Sequence, residues 1–252
     1  AIIPVHLYGQ TCDMDKIKII AKKYRLKIVE DCAQSQGAKY KNKFCGTIGK
    51  IGCFSFYPTK ILGAYGDGGF VLTNDFNLYK KIKRIRFYGI ETVDKKNKFL
   101  NKYYLNEDGI NSRLDEIQAS ILNFKLSILD KLIARRRYIA RLYTKELQST
   151  NLKLPKLNKD STHVYHLYTV FHPQRKILIQ NLKKNLIDTK IIYPYPIHTM
   201  KAFKHLFKNN YKLKKSEVKS KGIFCLPIYP ELKNKEVIKI CNTIKKILIK
   251  MK

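Results

Sequence analysis

Ser55-Phe56-Tyr57-Pro58-Thr59-Lys60-Ile61-Leu62-Gly63-Ala64-Tyr65-Gly66-Asp67-Gly68-Gly69 sets one lysine between an apolar, strand-like run and a glycine-rich loop. Glycine has no Cβ, so a loop this dense in it lets backbone approach something closely. One lysine among 42 is by itself an ordinary solvated charge, and Lys60 gains weight from what lies upstream. Leu26-Lys27-Ile28-Val29 reads as a short buried strand that runs into Glu30-Asp31 and then Cys32-Ala33-Gln34-Ser35-Gln36-Gly37-Ala38. A carboxylate at the carboxyl end of a parallel strand lies where open α/β sheets bind ligands.

An amine and a carboxylate so placed meet the demands of pyridoxal phosphate chemistry. That chemistry needs a lysine for the Schiff base and an acid to keep the pyridine nitrogen protonated. Lys60 and Asp31 are the candidate pair. The glycine loop is not a Walker A motif, because its lysine precedes the glycines and no Gly-Lys-Ser/Thr ending follows; nor does it fit the dinucleotide pattern.

Five ordered runs carry a resemblance: His6-Leu7-Tyr8-Gly9-Gln10, Glu30-Asp31-Cys32-Ala33-Gln34, Ser55 to Lys60, Gly66-Asp67-Gly68-Gly69, and Asn111-Ser112-Arg113-Leu114-Asp115-Glu116-Ile117-Gln118-Ala119. Together they resemble the DegT/DnrJ/EryC1/StrS family of sugar aminotransferases over nearly the whole chain. The resemblance implies an α/β fold of type I, with a three-layer α/β/α large domain and a small C-terminal α+β domain. Residues 1–125 would be the C-terminal part of the large domain, and 126–252 a linking helix and the small domain.

It also implies pyridoxal 5'-phosphate as cofactor, with Lys60 as anchor and proton shuttle and Asp31 on the ring nitrogen. Gln34 would lie beside the ring, and Ser55 would donate to the phosphate. Asn111 would reach a neighbouring subunit's phosphate, which implies a homodimer with shared sites. Tyr193 and His198 resemble the segment that shapes the sugar pocket, although many relatives have histidine where this chain has Ile192. The substrate implied is a dTDP- or UDP-linked keto-deoxysugar on the way to a surface polysaccharide or glycoconjugate, with glutamate as donor. A lysine at position 60 points to transamination over the family's dehydratases, which carry histidine there. A non-catalytic dimerising or regulatory homologue is the alternative.

Relatives are commonly longer at the N-terminus, where they keep an aromatic residue stacked on the cofactor and a Gly-Thr or Gly-Ser helix start for its phosphate. The 252 residues alone are therefore expected to retain cofactor weakly and to turn over poorly.

Composition bounds the rest. A chain of 252 residues can bury a substantial core. No run of 18 apolar residues and no signal-like leader occurs, so the expectation is a cytoplasmic protein without membrane or nucleic-acid partners. The net charge of +32 attracts polyanions, yet Lys outnumbers Arg 42 to 9 and is scattered. No zinc-finger spacing or RNA-binding aromatic motif accompanies it. Six cysteines without a Cys-x-x-Cys pair or a histidine at ligand spacing read as reduced packing residues, with no metal implied.

Along the chain, Ala1 to Leu7 reads as a strand with Pro4 at its edge, and Asp13 caps a helix to about Arg25, giving a β-α-β unit and a parallel sheet. Gly37 to Gly52 reads as loop, Cys53 to Tyr57 and Gly69 to Thr73 as strands, Asn77 to Phe87 as a basic helix, and Glu91 to Asp108 as a surface excursion. One long helix is expected from about Ser112 toward Leu147, with Arg135-Arg136-Arg137 on its wet face. His163 to Phe171 alternates like a strand, Gln174 to Leu186 resembles a helix, Tyr193 to His198 is too proline-rich for regular structure, and Lys235 to Lys250 closes the chain as an amphipathic helix.

Overall fold

The structure, a computed structural model, describes residues 1–90, 104–105, 107–207 and 212–251. They divide into two units, Ala1–Asp130 with Lys159–His163, and Lys131–Asn158 with Val164–Lys252.

The first unit is built on a sheet. Helix α1, Met14–Lys23, starts where the Asp13 carboxylate accepts the Lys16 N–H at 3.3 Å and ends on Lys22 and Lys23, whose charges suit the helix C-terminus. Its Met14 and Ala21 are buried in a cluster with Ile28 and Tyr40. Strand β1, Val29–Asp31, follows. The loop expected from Gly37 to Gly52 contains a small hairpin, β2 (Lys39–Tyr40) and β3 (Lys43–Phe44). Lys41 and Asn42 turn it with φ of 45° and 66°, the two left-handed residues a tight hairpin requires.

Strand β4, Ile51–Ser55, pairs parallel with β1, and β5, Gly69–Leu72, pairs antiparallel with β4. The sheet is therefore mixed. The strand expected at residues 1–7 is reduced to two parallel bridges, Ile2 with Ile28 and Val5 with Asp31. Pro4 between them accepts the Asp31 N–H at 2.9 Å but has no N–H to continue a ladder.

Helix α2, Phe76–Ile85, is capped by Asp75, whose Oδ1 accepts from Asn77 and Leu78. The surface excursion expected after it lies mostly outside the described residues, which omit 91–103 and 106. The long helix expected up to Leu147 is instead two, α3 (Glu116–Ser127) and α4 (Leu129–Leu147), broken at Ile128 with φ −111° and ψ 4°. Residues 159–163 add edge contacts to the first unit: Ser161 bridges Tyr40, and His163 bridges Gln10.

The second unit pairs β6, Tyr168–Phe171, antiparallel with β7, Ile223–Leu226. Helices α5 (Arg175–Lys184), α6 (Lys214–Gly222) and α7 (Asn234–Lys250) join α4 here. Tyr143, Leu147, Tyr168, Leu178, Leu182, Phe224 and Ile244 form its core, each fully buried. Each large apolar side chain among them contributes roughly 1.5–3 kcal/mol on leaving water.

The arginine triplet in α4 is not a wet face. Arg136 is buried and donates through one nitrogen to Tyr165 O (3.2 Å) and Ile228 O (3.0 Å), while Arg135 donates to Pro230 O (3.1 Å) and Asn234 Oδ1 (2.9 Å). Carbonyls of two irregular segments need donors, and the guanidinium fork supplies several at once. Among the described residues, no helix is long and apolar enough to cross a membrane.

Candidate functional site

Three turns of backbone bring Lys60 into place. Strand β4 ends at Ser55, and the Lys60 N–H closes a turn onto Tyr57 O at 2.8 Å, with Pro58 presetting its second position. The chain then folds back: Ala64 N–H donates to Phe56 O and Phe56 N–H to Gly68 O, both at 2.7 Å. Gly63 permits the fold-back, because a Cβ there would lie 2.5 Å from Pro58 O. Phe56, Leu62 and Ala64 are buried against Leu122 of α3. Lys60 itself is half-buried.

Asp31 ends the neighbouring parallel strand. Its register partner in β4 is Cys53, two residues before Ser55, so Asp31 and Ser55 stand at the carboxyl ends of adjacent strands. Asp31 Oδ1 accepts the Ala33 N–H at 3.0 Å, and no described residue bonds its Oδ2. Burial lowers the affinity of the Lys60 amine for its proton, and the nearby Asp31 charge partly opposes this. The structure thus brings Asp31, Ser55 and Lys60 to one end of one sheet.

Gln34 and Gln36 follow Asp31 and are both buried. Gln34 Oε1 accepts the N–H of Tyr8, a residue held at φ 62°, at 2.7 Å. Gln36 Nε2 donates to Ser55 O at 2.7 Å, which ties the segment after β1 to the end of β4. Its Oε1 is buried without a partner among the described residues. Ser55 Oγ accepts the Tyr57 N–H at 3.2 Å and keeps its own hydroxyl proton to donate.

Glu30, beside Asp31, has a different task. It is fully buried and takes N–H groups from Gly46 (2.8 Å), Ile48 (2.7 Å) and Gly49 (2.5 Å), plus His6 Nε2 at 2.9 Å. His6 Nδ1 accepts the Cys12 N–H, so the ring proton sits on Nε2 and is donated to Glu30. Burial pushes the Glu30 carboxyl up, yet His6 and the three backbone donors outweigh it and leave the group below the usual range. His6, Glu30 and Cys32 bring donor atoms within 4.8 Å of one another, but both ring nitrogens and both carboxylate oxygens are already engaged.

The other expected residues have surroundings of their own. Asn111 is exposed and bridges Phe87 in the first unit. Tyr193 and His198 belong to the second unit, where Tyr193 is exposed and His198 Nε2 lies 3.0 Å from Glu217 Oε1. Gln36, Gln118 and Lys125 also contribute to this neighbourhood. Gln118 stands inside the run Asn111 to Ala119 and Gln36 two residues past the run ending at Gln34, but only the contacts reveal their roles.

Residues 1–245 match the model of the DegT/DnrJ/EryC1/StrS aminotransferase family. The chain is 41% identical to the dTDP-3-amino-3,4,6-trideoxy-alpha-D-glucose transaminase of Micromonospora megalomicea subsp. nigra, over 98% of this chain and 66% of that protein. It is 43% identical to a pleiotropic regulatory protein of Geobacillus stearothermophilus, over 94% of this chain and 62% of the other. NtdA from Bacillus subtilis, solved with bound cofactor PMP, superimposes with a TM-score of 0.85 at 27% identity, over 98% of this chain and 56% of that one. The α/β fold of type I expected from the motifs is the fold these relatives share. Spanning somewhat less than two thirds of the length of such relatives, the chain belongs to the DegT/DnrJ/EryC1/StrS aminotransferase family.

Proposed function

We propose that this chain carries the cofactor lysine of a pyridoxal 5'-phosphate-dependent aminotransferase that acts on a nucleotide-linked keto-sugar. The observation that carries the reading is the placement of Lys60 beside Asp31 at the carboxyl ends of β1 and β4. The residues fit the cofactor. Asp31 Oδ2 is open to a ring N–H, and the Ser55 hydroxyl is open to a phosphate.

When bound, pyridoxal phosphate supplies an aldehyde that takes up amines and a ring that accepts electrons. Asp31 would hold the ring nitrogen, Ser55 would bind the phosphate, and Gln34 would lie beside the ring. Because burial depresses its proton affinity, Lys60 Nζ is unprotonated, and so nucleophilic, more often than an exposed lysine. The same Nζ would also hold a proton taken from the α-carbon of the amino donor. Glutamate is the donor in this reading, and Tyr193 and His198 contact the sugar. Asn111 completes the site of a second subunit in a homodimer.

The name of the Micromonospora relative supports a dTDP-linked 3-keto sugar, with a UDP-linked one as the variant. The name of the Geobacillus relative supports a second reading, a regulatory protein. Visible spectra of the purified chain with added pyridoxal phosphate, before and after borohydride, separate the two. A reduced adduct mapped to Lys60, with absorbance that bleaches on adding glutamate, supports the enzyme. Adducts spread over surface lysines, with no preference for Lys60, sink it.

A further inference from the structure

The loop that displays Lys60 is fastened by one face of a helix that begins more than fifty residues later in the chain. Lys125 Nζ donates to Gly63 O at 2.6 Å and lies 4.5 Å from the centre of the Tyr65 ring. Gln118 Oε1 accepts the Tyr65 N–H at 2.7 Å. Gln118 and Lys125 are seven residues apart on α3, two turns, so they share a face, and Leu122 between them packs on Leu62 and Ala64. The Tyr65 side chain is 73% exposed, so burial does not hold the loop tip. The two polar ties fix the carbonyl and the amide that follow Lys60 by three and five residues.

We propose that Gln118 and Lys125 are positioning residues for Lys60, which clamp the loop from residues 61 to 66 and so hold the amine beside Asp31. The inference rests on the reading of Lys60 as the cofactor lysine. Neither residue is given contact with cofactor or substrate. Lys125 serves as a cation shared between a carbonyl and an aromatic face, which desolvation strengthens. Gln118 serves as a neutral acceptor for an otherwise unpaired N–H.

The test compares Gln118→Leu and Lys125→Met with the conservative Gln118→Glu and Lys125→Arg. Two readouts need no cofactor: hydrogen exchange of residues 61–66, and the pH dependence of Lys60 acetylation by acetic anhydride, mapped by mass spectrometry. The third is the rate at which added pyridoxal phosphate forms a borohydride-trapped adduct on Lys60. The apolar variants should speed exchange, move the Lys60 midpoint up toward that of an exposed lysine and slow adduct formation by about tenfold or more, as displaced reactive groups do. The conservative pair should stay near wild type.

Unchanged exchange and an unchanged Lys60 midpoint in the apolar variants overturn the clamp. A lowered melting temperature with the Lys60 midpoint unmoved also overturns it, because that marks a merely structural role. A wild-type chain that forms no adduct, while loop and midpoint still respond, overturns the cofactor reading alone and leaves the clamp standing.

Discussion

Glu30 and Asp31 are consecutive acids in β1 with opposite surroundings: Glu30 is sealed among four donors, whereas Asp31 keeps one carboxylate oxygen open at the strand's carboxyl end. Successive residues of a strand point to opposite faces, so one short run supplies both a structural and a chemical carboxylate. Glu30 gathers the turn from Gly46 to Gly49 and pins it under the strand. Asp31 is thereby carried on a strand end whose far side cannot shift without breaking four hydrogen bonds.

Replacing Glu30 with Gln tests that division. The amide presents a donor where three backbone N–H groups and His6 all donate, so at least one buried pair is lost. The expected cost is about 2–3 kcal/mol of unfolding free energy. In the wild type, the folded carboxyl titrates below its unfolded value, so its stabilisation is fully present above about pH 4.5 and lost as pH falls through the folded value. Denaturant melts from pH 7 down to 3 should show the wild type converging on Glu30→Gln. Parallel curves would refute the assignment.

Asp31→Asn should act on Lys60 without touching the fold. The Asp31 charge raises the proton affinity of Lys60 against burial, so removing it lowers the amine's midpoint further. Acetylation of Lys60 would then begin at lower pH than in the wild type. Cofactor retention should fall at the same time, since a neutral amide cannot hold a cationic ring nitrogen. A Lys60 midpoint that rises in Asp31→Asn contradicts the geometry.

Sequence motifs exposed the parts of this region that are contiguous in the chain. Asp31, Ser55 and Lys60 lie at strand ends whose hydrophobic runs and bounding glycines are local signals. The turn at Lys41-Asn42 escaped because Lys is an uncommon left-handed residue, and the break at Ile128 because the apolar spacing continues unchanged across it. The arginine triplet misled for another reason. Charge patterning alone reads three arginines as a solvated face, whereas Arg135 and Arg136 donate to carbonyls about thirty to a hundred residues away. Long-range pairing of a donor with irregular backbone leaves no periodic trace.

Arg136→Leu should therefore be costly in the second unit. The guanidinium is buried, and burial lowers its pKa to about 10 against the opposing Glu231 charge. Its loss removes the donor shared by the carbonyls of Tyr165 and Ile228. A loss on the order of 3 kcal/mol is expected from removing buried hydrogen bonds made by a charged group. Arg141→Leu, an exposed arginine further along the same helix, is the control. Thermal melts in which the two variants lose equal stability would show that the buried hydrogen bonds contribute nothing special.

Two glycines of the Lys60 loop should separate sharply on substitution by alanine. At Gly63 the added Cβ would lie 2.5 Å from Pro58 O and 3.0 Å from Tyr57 O, and these are backbone atoms of the turn that presents Lys60. At Gly66 it would meet only the Gln118 side chain, Nε2 at 3.4 Å and Cδ at 3.8 Å, ordinary contacts with the end of a flexible side chain. Gly63→Ala must therefore move the turn, and should cost about 1–3 kcal/mol with a loss of Lys60 adduct formation. Gly66→Ala should stay within about 0.5 kcal/mol of the wild type and keep its adduct. Equal penalties at both positions would mean that the loop is not shaped by the turn at Pro58, and that Lys60 is presented in some other way.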